Sequence, residues 1–452
     1  MMDKSLQQEE NNNTAKAREV IAGLDIGTTK VVCFIAQRDD HGKIDIIGVG
    51  KTESAGVSRG EVVNIAEATE SIRTAVQMAQ DNLRIPGQLT LSKVCVGIAG
   101  SHINSFQHEN MISRKDPNSL ITEKELSEFR NQVLSMNIQN GEKIIDAIPQ
   151  EYYIDNNPPV HRAAGCQGAQ IKSQFHVISG QMNKINLINT CVNMAGLQIH
   201  PLVLEPIASA EAVLSKEEKE GGVVLVDIGG GTTDVAIVHE HKIRHTAVIP
   251  FGGDVITKDI KEGCYILKSQ AEKLKTQFGS AIPTNKDKNE VISIARPHGA
   301  AKEISKHTLA GIIQARLTEI IGAVNYEIDQ SGYRDKILGG IVVTGGGSQM
   351  NHIKQLFEYV TGMDTRLGLP TEHLSASTDI AEFSNPIFST GIGLVLKGFQ
   401  HSDHNKKIQP AEEKNPENIE EPTRPGFTDI FSKFRKMMSD NMGSLMDDSG
   451  LK

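Results

Sequence analysis

The sequence predicts an α/β protein built from two related halves that face one cleft, and three glycine-rich segments carry this prediction. The segments GLDIGTTKVVCFI (23–35) and LVDIGGGTTDVAIV (225–238) share one pattern: an apolar strand, Asp-Ile-Gly, small hydroxyl residues and a second apolar strand. A third segment, TGGGSQM (344–350), follows an apolar strand and begins a predicted helix. Tight turns of glycine and threonine present backbone N–H groups and hydroxyls to phosphate oxygens. The cleft between the halves is therefore predicted to bind a nucleotide.

Composition argues against several other classes of protein. A chain of 452 residues is long enough for two or more domains with their own cores. The formal net charge of −9 argues against general nucleic-acid binding, which requires a basic surface. The five cysteines contain no C-x-x-C pair, so neither a disulfide framework nor a zinc site is indicated. The polar N-terminal segment is not expected to be a signal peptide, and no apolar run is long enough for a transmembrane helix.

The first domain is predicted to begin after a disordered polar tail, residues 1–18. Its first part, residues 19–92, contains a strand pair at about 20–36 and a helix at about 65–84, for which Asn64 is the candidate N-cap. Apolar residues recur along one side of that helix, which is typical of a helix that packs on a sheet.

An inserted β/α subdomain is predicted at 93–176, between two parts of the first domain. It is expected to open with the strand KVCVGIAG, at 93–100. Thr122 and Glu125 have the spacing of a capping box, which predicts the start of a helix inside the insert. The second part of the first domain then follows at 177–205.

The second domain is predicted to start with residues 206–252, which contain the second glycine turn. A helix-rich lobe follows at 253–335, and its longest helix is expected over 307–330 because apolar residues recur there at helical spacing. Residues 336–383 contain the third glycine segment and complete the second domain. Residues 384–400 are predicted to return to the first domain as a C-terminal helix.

The remaining residues change abruptly in composition. Residues 401–424 are charged and almost free of apolar side chains, which predicts a flexible linker. Residues 425–446 place apolar side chains at helical spacing next to lysine and arginine, and 447–452 form a short tail. This pattern predicts an amphipathic helix on a membrane surface, although a helix docked on the protein core would show the same pattern. The predicted membrane-facing residues are Phe427, Ile430, Phe431, Phe434, Met437 and Met438.

The glycine segments supply most of the predicted nucleotide site. Glycine costs chain entropy and adds no packing, so three successive glycines are expected where backbone touches a ligand. Asp25 and Asp227 are each predicted to face a phosphate-bound divalent cation, directly or through water. A glycine turn between two core strands is the alternative, above all for the first turn. The predicted cofactor-binding residues are Asp25, Gly27, Thr28, Thr29, Lys30, Asp227, Gly229, Gly230, Gly231, Thr232, Thr233, Gly345, Gly346 and Gly347.

These segments fit neither the P-loop pattern nor the Rossmann pattern. In this order they resemble the nucleotide site of the actin-like ATPase superfamily, which includes actin, MreB, DnaK-type chaperones and sugar kinases. The resemblance covers most of 20–400. It implies an actin-like (ribonuclease H-like) fold of two α/β domains, with ATP and Mg²⁺ at the bottom of the nucleotide cleft.

Two further segments resemble parts of that site. AEKLKTQFGSAIP (271–283) is similar to the helix that contacts adenosine, which implies that Glu272 and Lys275 contact the ribose. LEPIASAEAV (204–213) resembles the first connection between the domains, which implies that Glu205 is a catalytic residue that positions water near the γ-phosphate. Ordinary charges on an exposed helix, and a helix cap at Glu205, are the alternatives.

Within the superfamily, the chain resembles the FtsA family of cell-division proteins. AIPQEYYIDN (147–156) and IRHTAVIPFGGDVITKDI (243–260) are similar to FtsA sequences, as are the position of the insert and the linker with its terminal helix. The resemblance implies a peripheral protein at the division septum, on the cytoplasmic side of the cell membrane. It also implies filaments whose assembly is switched by ATP.

The resemblance further implies the partners of the chain. The lobe at 253–335 would bind the C-terminal peptide of FtsZ, the tubulin-like ring protein, and so tether the ring to the lipids of the cytoplasmic membrane. The insert would recruit later division proteins. Two alternatives stay open: a small-molecule kinase of the same superfamily, which has no use for an amphipathic tail, and a pilus-assembly ATPase, which binds a membrane partner peptide in place of lipid.

Overall fold

The computed structural model describes residues 18–84, 89–138, 141–295 and 301–408. The N-terminal tail up to residue 17 lies outside these ranges. So do the predicted linker from residue 409 onward and the predicted amphipathic helix with its six membrane-facing residues.

The described chain contains both strands and helices, in groups of one to five strands separated by one or two helices. The strands are β1 (Val20–Ile26), β2 (Lys30–Arg38), β3 (Ile44–Glu53), β4 (Val57–Ser58), β5 (Glu61–Val62), β6 (Lys93–Ile98), β7 (Ile103–Ser113), β8 (Glu142–Ile154), β9 (Gln170–Gln181), β10 (Gln198–Leu204), β11 (Val223–Ile228), β12 (Thr233–His239), β13 (Lys242–Ile249), β14 (Val291–Ile294), β15 (Lys302–Ser305), β16 (Ile341–Thr344) and β17 (Thr365–Leu367). The α-helices are α1 (Ile65–Asp81), α2 (Glu123–Leu134), α3 (Met182–Met194), α4 (Glu205–Val213), α5 (Lys216–Gly221), α6 (Gly253–Cys264), α7 (Lys268–Phe278), α8 (Lys306–Ser331), α9 (Ile353–Thr361), α10 (Ile380–Phe383) and α11 (Ser389–Ile408). Short 3₁₀ turns lie at Lys286–Asn289, Arg334–Lys336, Gly346–Gln349 and Pro386–Phe388.

Two five-stranded sheets with matching strand order form the two halves. The first sheet runs β10-β6-β1-β2-β3, and the second runs β17-β16-β11-β12-β13. In both, a three-stranded antiparallel meander is extended by two parallel strands. The two Asp-Ile-Gly turns occupy equivalent places, between the first two strands of each meander. The predicted α/β class and the predicted internal repeat are therefore confirmed.

The two sheets share an apolar core in which α4 and α11 are embedded. Central strands that are covered on both faces need continuous apolar runs, and every residue of β11 is buried. The shared core joins Phe34 of the first sheet and Leu225 of the second to Val213 of α4 and Val395 of α11. These two helices therefore lie where the halves meet, directly behind the glycine turns.

The insert is a three-stranded antiparallel sheet, β7-β9-β8, with α2 packed against it. The predicted capping box is present, because Thr122 Oγ1 accepts the Glu125 N–H at 3.2 Å and Glu125 Oε2 accepts the Thr122 N–H at 2.9 Å. Phe129 of α2 packs edge-on against Phe175 of β9, with ring centroids 5.2 Å apart. Strand β6 pairs with β1 and β10 in the first sheet, so the predicted start of the insert at 93 is too early.

The insert also contacts the second half through β13. Ser105 Oγ donates to the Thr246 carbonyl at 2.8 Å, and His176 Nε2 and Thr246 Oγ1 form a hydrogen bond of 2.9 Å. Arg244, which is 4% exposed, donates to Glu151 Oε1 at 2.7 Å. These polar contacts connect the insert to the second half of the molecule.

The chain returns to the first half earlier than predicted and stays helical for longer. Ile44 N–H donates to the His373 carbonyl at 2.8 Å, and Ser375 N–H donates to the Ile44 carbonyl at 2.7 Å, so the predicted boundary at 384 is late. Helix α11 continues to Ile408, past the predicted end at 400, and Asp403 pairs with Arg38 of β2 at 2.6 Å. Among the described helices, none has the length and apolarity to cross a bilayer.

Candidate functional site

The first Asp-Ile-Gly turn closes the hairpin between β1 and β2. Gly27 N–H donates to the Lys30 carbonyl at 3.0 Å, which brings the two threonines to the tip. Asp25, near the end of β1, is 4% exposed, and Lys30 Nζ lies 3.0 Å from its Oδ2. The turn thereby places a carboxylate, an ammonium group and the hydroxyls of Thr28 and Thr29 along one wall of a cavity.

The second turn closes the hairpin between β11 and β12 and touches the first turn. A Cβ atom on Gly230 would lie 2.4 Å from Thr29 Cγ2, and one on Gly231 would lie 2.4 Å from Thr28 Oγ1. Both distances are far below van der Waals contact, so only glycine lets the hairpins approach this closely. The two turns form facing walls of one cavity of about 320 Å³.

Four carboxyl groups line this cavity. Ser209 Oγ of α4 and Thr390 Oγ1 of α11 both donate to Asp227 Oδ2, at 2.6 and 3.1 Å. Asp234 Oδ2 accepts from Thr232 Oγ1 at 3.1 Å, whereas Asp234 Oδ1 is buried without a hydrogen-bond partner in the described part of the chain. The four groups belong to Asp25, Glu205, Asp227 and Asp234.

Burial raises the pKa values of three of these carboxyl groups, those of Glu205, Asp227 and Asp234, and neighbouring charges add to the effect. Burial raises the pKa of Glu205 well above its ordinary value of 4.5, and the charges of Asp25, Asp234 and Asp227 raise it further. Lys30 opposes this shift. Burial, followed by the charge of Asp227, also raises the pKa of Asp234 well above its ordinary value, and burial raises the pKa of Asp227. A bound divalent cation would oppose these shifts, because it favours the ionised carboxylates.

A second cavity of about 350 Å³ adjoins the first. Lys275 Nζ lines it, lies 2.8 Å from Glu272 Oε2 and donates to Thr257 Oγ1 at 2.8 Å. Gly345, at the start of the third glycine segment, has φ +80°, and a Cβ there would lie 2.1 Å from Asp227 Oδ1. The wall shared by both cavities contains Thr29, Gly229, Gly230 and Gly346.

Comparison with known proteins identifies the family. A family model described as "Cell division protein FtsA" matches residues 224–393, and one described as "SHS2 domain inserted in FTSA" matches residues 100–179. The cell division protein FtsA of Pseudomonas aeruginosa is 35% identical over 391 residues, which cover 86% of this chain and 91% of that protein. The chain belongs to the FtsA family. The FtsA of Neisseria meningitidis is likewise 35% identical, over 399 residues that cover 87% of this chain and 94% of that protein.

Solved structures confirm the actin-like fold for this FtsA-family chain. A structure of the PilM-PilN type IV pilus biogenesis complex aligns with a TM-score of 0.59 at 16% identity, over 87% of this chain and 100% of that one. MreB5 of Spiroplasma citri bound to ADP aligns with a TM-score of 0.51 at 14% identity, over 87% and 99%. An Hsp70 family model matches residues 186–246. At these identities the likeness to the solved structures concerns the fold alone.

All but one of the residues predicted for the nucleotide site line the two cavities. Glu205 lines the first, Glu272 and Lys275 line the second, and Gly347 of the third segment also lines the second. The exception is Thr233, which is fully buried and whose hydroxyl donates to the Phe251 carbonyl at 2.8 Å. Its side chain stabilises the strand that follows the turn and lines neither cavity.

Asp234 of this FtsA-family chain was not among the residues predicted from the sequence. This residue pairs directly with Asp227 across the ladder between β11 and β12, so the two carboxylates face the same cavity. An acidic residue next to the apolar run of strand β12 was the available signal. Carboxylate oxygens are the ligands that Mg²⁺ prefers, and the unpartnered Asp234 Oδ1 offers one more acceptor. The residues present therefore fit a hydrated divalent cation.

Proposed function

We propose that this chain is a membrane-associated, ATP-binding protein of bacterial cell division. In this proposal it polymerises, anchors the FtsZ ring to the cytoplasmic membrane and recruits later division proteins. The observation that carries the nucleotide part is the cavity in which two glycine turns face four carboxyl groups. Buried carboxylates with few cationic partners are costly, so a ligand that brings its own cation accounts for this arrangement. Mg²⁺ with ATP is such a ligand.

The two cavities of the cleft would bind different parts of ATP. ATP would place its phosphates between the two turns, where Thr28, Thr29 and Thr232 offer hydroxyls. Its ribose would contact Glu272 and Lys275 in the second cavity. Asp25 and Asp227 would hold Mg²⁺, with Asp234 as a third carboxylate.

Glu205 would act on the water that attacks ATP. In hydrolysis the water oxygen bonds to the γ-phosphorus, the bond from that phosphorus to the bridging oxygen breaks, and ADP keeps the electron pair. Glu205 would orient the water and accept its proton. Burial raises the pKa of Glu205, and a bound cation would oppose this shift, so we expect slow hydrolysis that depends on Mg²⁺.

Membrane binding is proposed from the sequence of residues 425–446, which lie outside the described part of the chain. Full burial of one large apolar side chain is worth about 1.5–3 kcal/mol. Lys433, Arg435 and Lys436 would each add about 1 kcal/mol near anionic lipid. Such an anchor is modest and reversible, and a filament would multiply it through avidity.

The proposed partners rest on membership in the FtsA family. The C-terminal peptide of FtsZ is assigned to the lobe at 253–335, and later division proteins are assigned to the insert. A place on the cytoplasmic side of the membrane, at the division septum, follows from these partners. The same membership favours this proposal over a small-molecule kinase or a pilus-assembly ATPase.

Liposome pelleting tests the membrane part of the proposal. The full chain should pellet with anionic, protein-free liposomes, and a chain without residues 425–452 should stay in solution. Phe434→Asp should reduce pelleting, whereas Ser432→Asp, which adds the same charge on the opposite face of the helix, should have little effect. Undiminished pelleting of the truncated chain would refute the anchor. Electron microscopy on lipid monolayers, with and without ATP, then tests for filaments.

A further inference from the structure

The tip of a small hairpin lies against the nucleotide cavity. Strands β4 and β5 are joined by a two-residue turn in which Arg59 and Gly60 both have positive φ, 49° and 75°. Glycine suits such a turn, whereas the first position usually belongs to Asn, Asp or Gly. An arginine in this strained position suggests that its side chain is needed there.

This tip separates two cavities. Gly60 N–H donates to Thr28 Oγ1 at 3.0 Å, and Gly60 lines the cavity that contains the four carboxyl groups. A Cβ atom on Gly231 would lie 2.7 Å from Arg59 Cα, so the tip also rests on the second glycine turn. Gly231 belongs to the walls of both cavities, and Arg59 lines the other one. The partition between the two cavities is thus a single layer of backbone.

The cavity that Arg59 lines, which we term the cationic vestibule, has a volume of about 290 Å³. It is rich in positive charge and is distinct from both cavities of the nucleotide site. Arg59, Lys261 and Lys268 form no ion pair with any described residue, and Lys258 is 3.9 Å from the exposed Glu262. One carboxyl group is present, that of Asp254, whose pKa is raised by burial. The charged residues that line the vestibule are Arg59, Asp254, Lys258, Lys261 and Lys268.

We propose that the cationic vestibule binds inorganic phosphate. The guanidinium of Arg59 suits a tetrahedral anion because it can donate two parallel hydrogen bonds, and the lysines add point charges. On the other side of the partition four carboxyl groups repel a free anion. A phosphate anion released in the nucleotide cavity therefore experiences an electrostatic force directed toward the vestibule. The origin of that phosphate rests on the proposed ATPase function, whereas binding of phosphate from solution does not.

Calorimetric titration of the full, nucleotide-free chain with inorganic phosphate tests the site. Wild type should bind one phosphate saturably. The double variant Lys261→Ala/Lys268→Ala should lose about tenfold or more in affinity, because two of four cations are removed. The control Lys273→Ala/Lys286→Ala removes the same charge from positions outside the vestibule and should bind as wild type. Equal phosphate affinity in both double variants would overturn the site.

A second titration distinguishes this site from the nucleotide cavity. Phosphate should still bind to protein saturated with a non-hydrolysable ATP analogue and Mg²⁺, and loss of phosphate binding in proportion to analogue occupancy would overturn the inference. If phosphate binds as expected but Mg²⁺-ATP does not bind at all, the proposed function fails and the vestibule stands. If Mg²⁺-ATP binds and phosphate does not, the vestibule alone fails.

Discussion

The internal repeat in the sequence identified two acidic residues of the cleft but not a third. Asp25 and Asp227 were found because the Asp-Ile-Gly pattern marks both copies. Their strand partners differ, since Asp25 pairs with Val32 and Asp227 pairs with Asp234. A comparison of the two copies overlooks the residue that only one of them has. The cluster is therefore asymmetric, with more acidic groups supplied by the second half and the cation Lys30 supplied by the first.

Binding of Mg²⁺ with ATP should release protons. The pKa values of Glu205, Asp227 and Asp234 are raised without a cation, and a divalent cation favours the ionised forms. Calorimetry in buffers of different ionisation enthalpy measures this release, and apparent affinity should rise with pH. The variant Asp234→Asn should bind Mg²⁺-ATP with fewer protons released. Binding heats that are independent of the buffer would contradict the raised pKa values.

The same buried carboxyl groups should make the free energy of unfolding of the nucleotide-free protein depend on pH. The pKa of Glu205 in the folded protein lies above its ordinary value of 4.5. Its contribution to the free energy of unfolding is therefore fully present below pH 4.5 and is lost as the pH rises through the folded pKa. Glu205→Gln should therefore become progressively more stable than wild type as the pH rises above 4.5. Urea unfolding measures the gain, and Glu128→Gln on the exposed side of α2 is the control. A gain that does not change with pH would refute the explanation.

At the scale of elements, prediction succeeded where local signals are strong. The long helix was predicted at 307–330 and is α8, and the capping box begins α2 as expected. Strand β6 was assigned to the insert because it is next to it in sequence, but its apolar run suits a central strand of the first sheet. The end of α11 was placed too early because its last residues are polar, and their contacts to β2 are visible only in three dimensions.

The crossing of α4 and α11 depends on one glycine. A Cβ atom on Gly393 would lie 1.9 Å from the Ala208 carbonyl oxygen, and backbone cannot move aside as a side chain can. Gly393→Ala should therefore lower the free energy of unfolding by about 1–3 kcal/mol and weaken Mg²⁺-ATP binding, because Ser209 and Thr390 on these helices hold Asp227.

The matched control for this crossing is Gly322→Ala in α8. A Cβ atom there meets nothing within 4 Å, so the variant should gain about 0.5–1 kcal/mol from helix propensity. Urea unfolding and nucleotide titration of both variants provide the comparison. If both variants changed stability in the same direction, close packing at the crossing would not be the cause.

The whole molecule is organised around a site that neither half can complete alone. Each half contributes one glycine turn, and the helices that join the halves contribute the hydroxyls that hold Asp227. The insert stands apart from the cleft and contacts the second half through β13. A ligand bound between the turns must therefore stabilise both halves together. Such a ligand would not touch the core of the insert.

Hydrogen exchange followed by mass spectrometry tests this view of the molecule. At about 100 times its dissociation constant, Mg²⁺-ATP should stabilise the folded state by about 2.7 kcal/mol and slow exchange that requires unfolding by about a hundredfold. Peptides over 23–29 and 225–232 should gain protection together, whereas peptides over 123–134 in the insert should gain less, because the insert can open locally without releasing the ligand. Asp227→Ala should lose protection in both halves at once. Protection confined to one half would mean that the turns do not bind one ligand together.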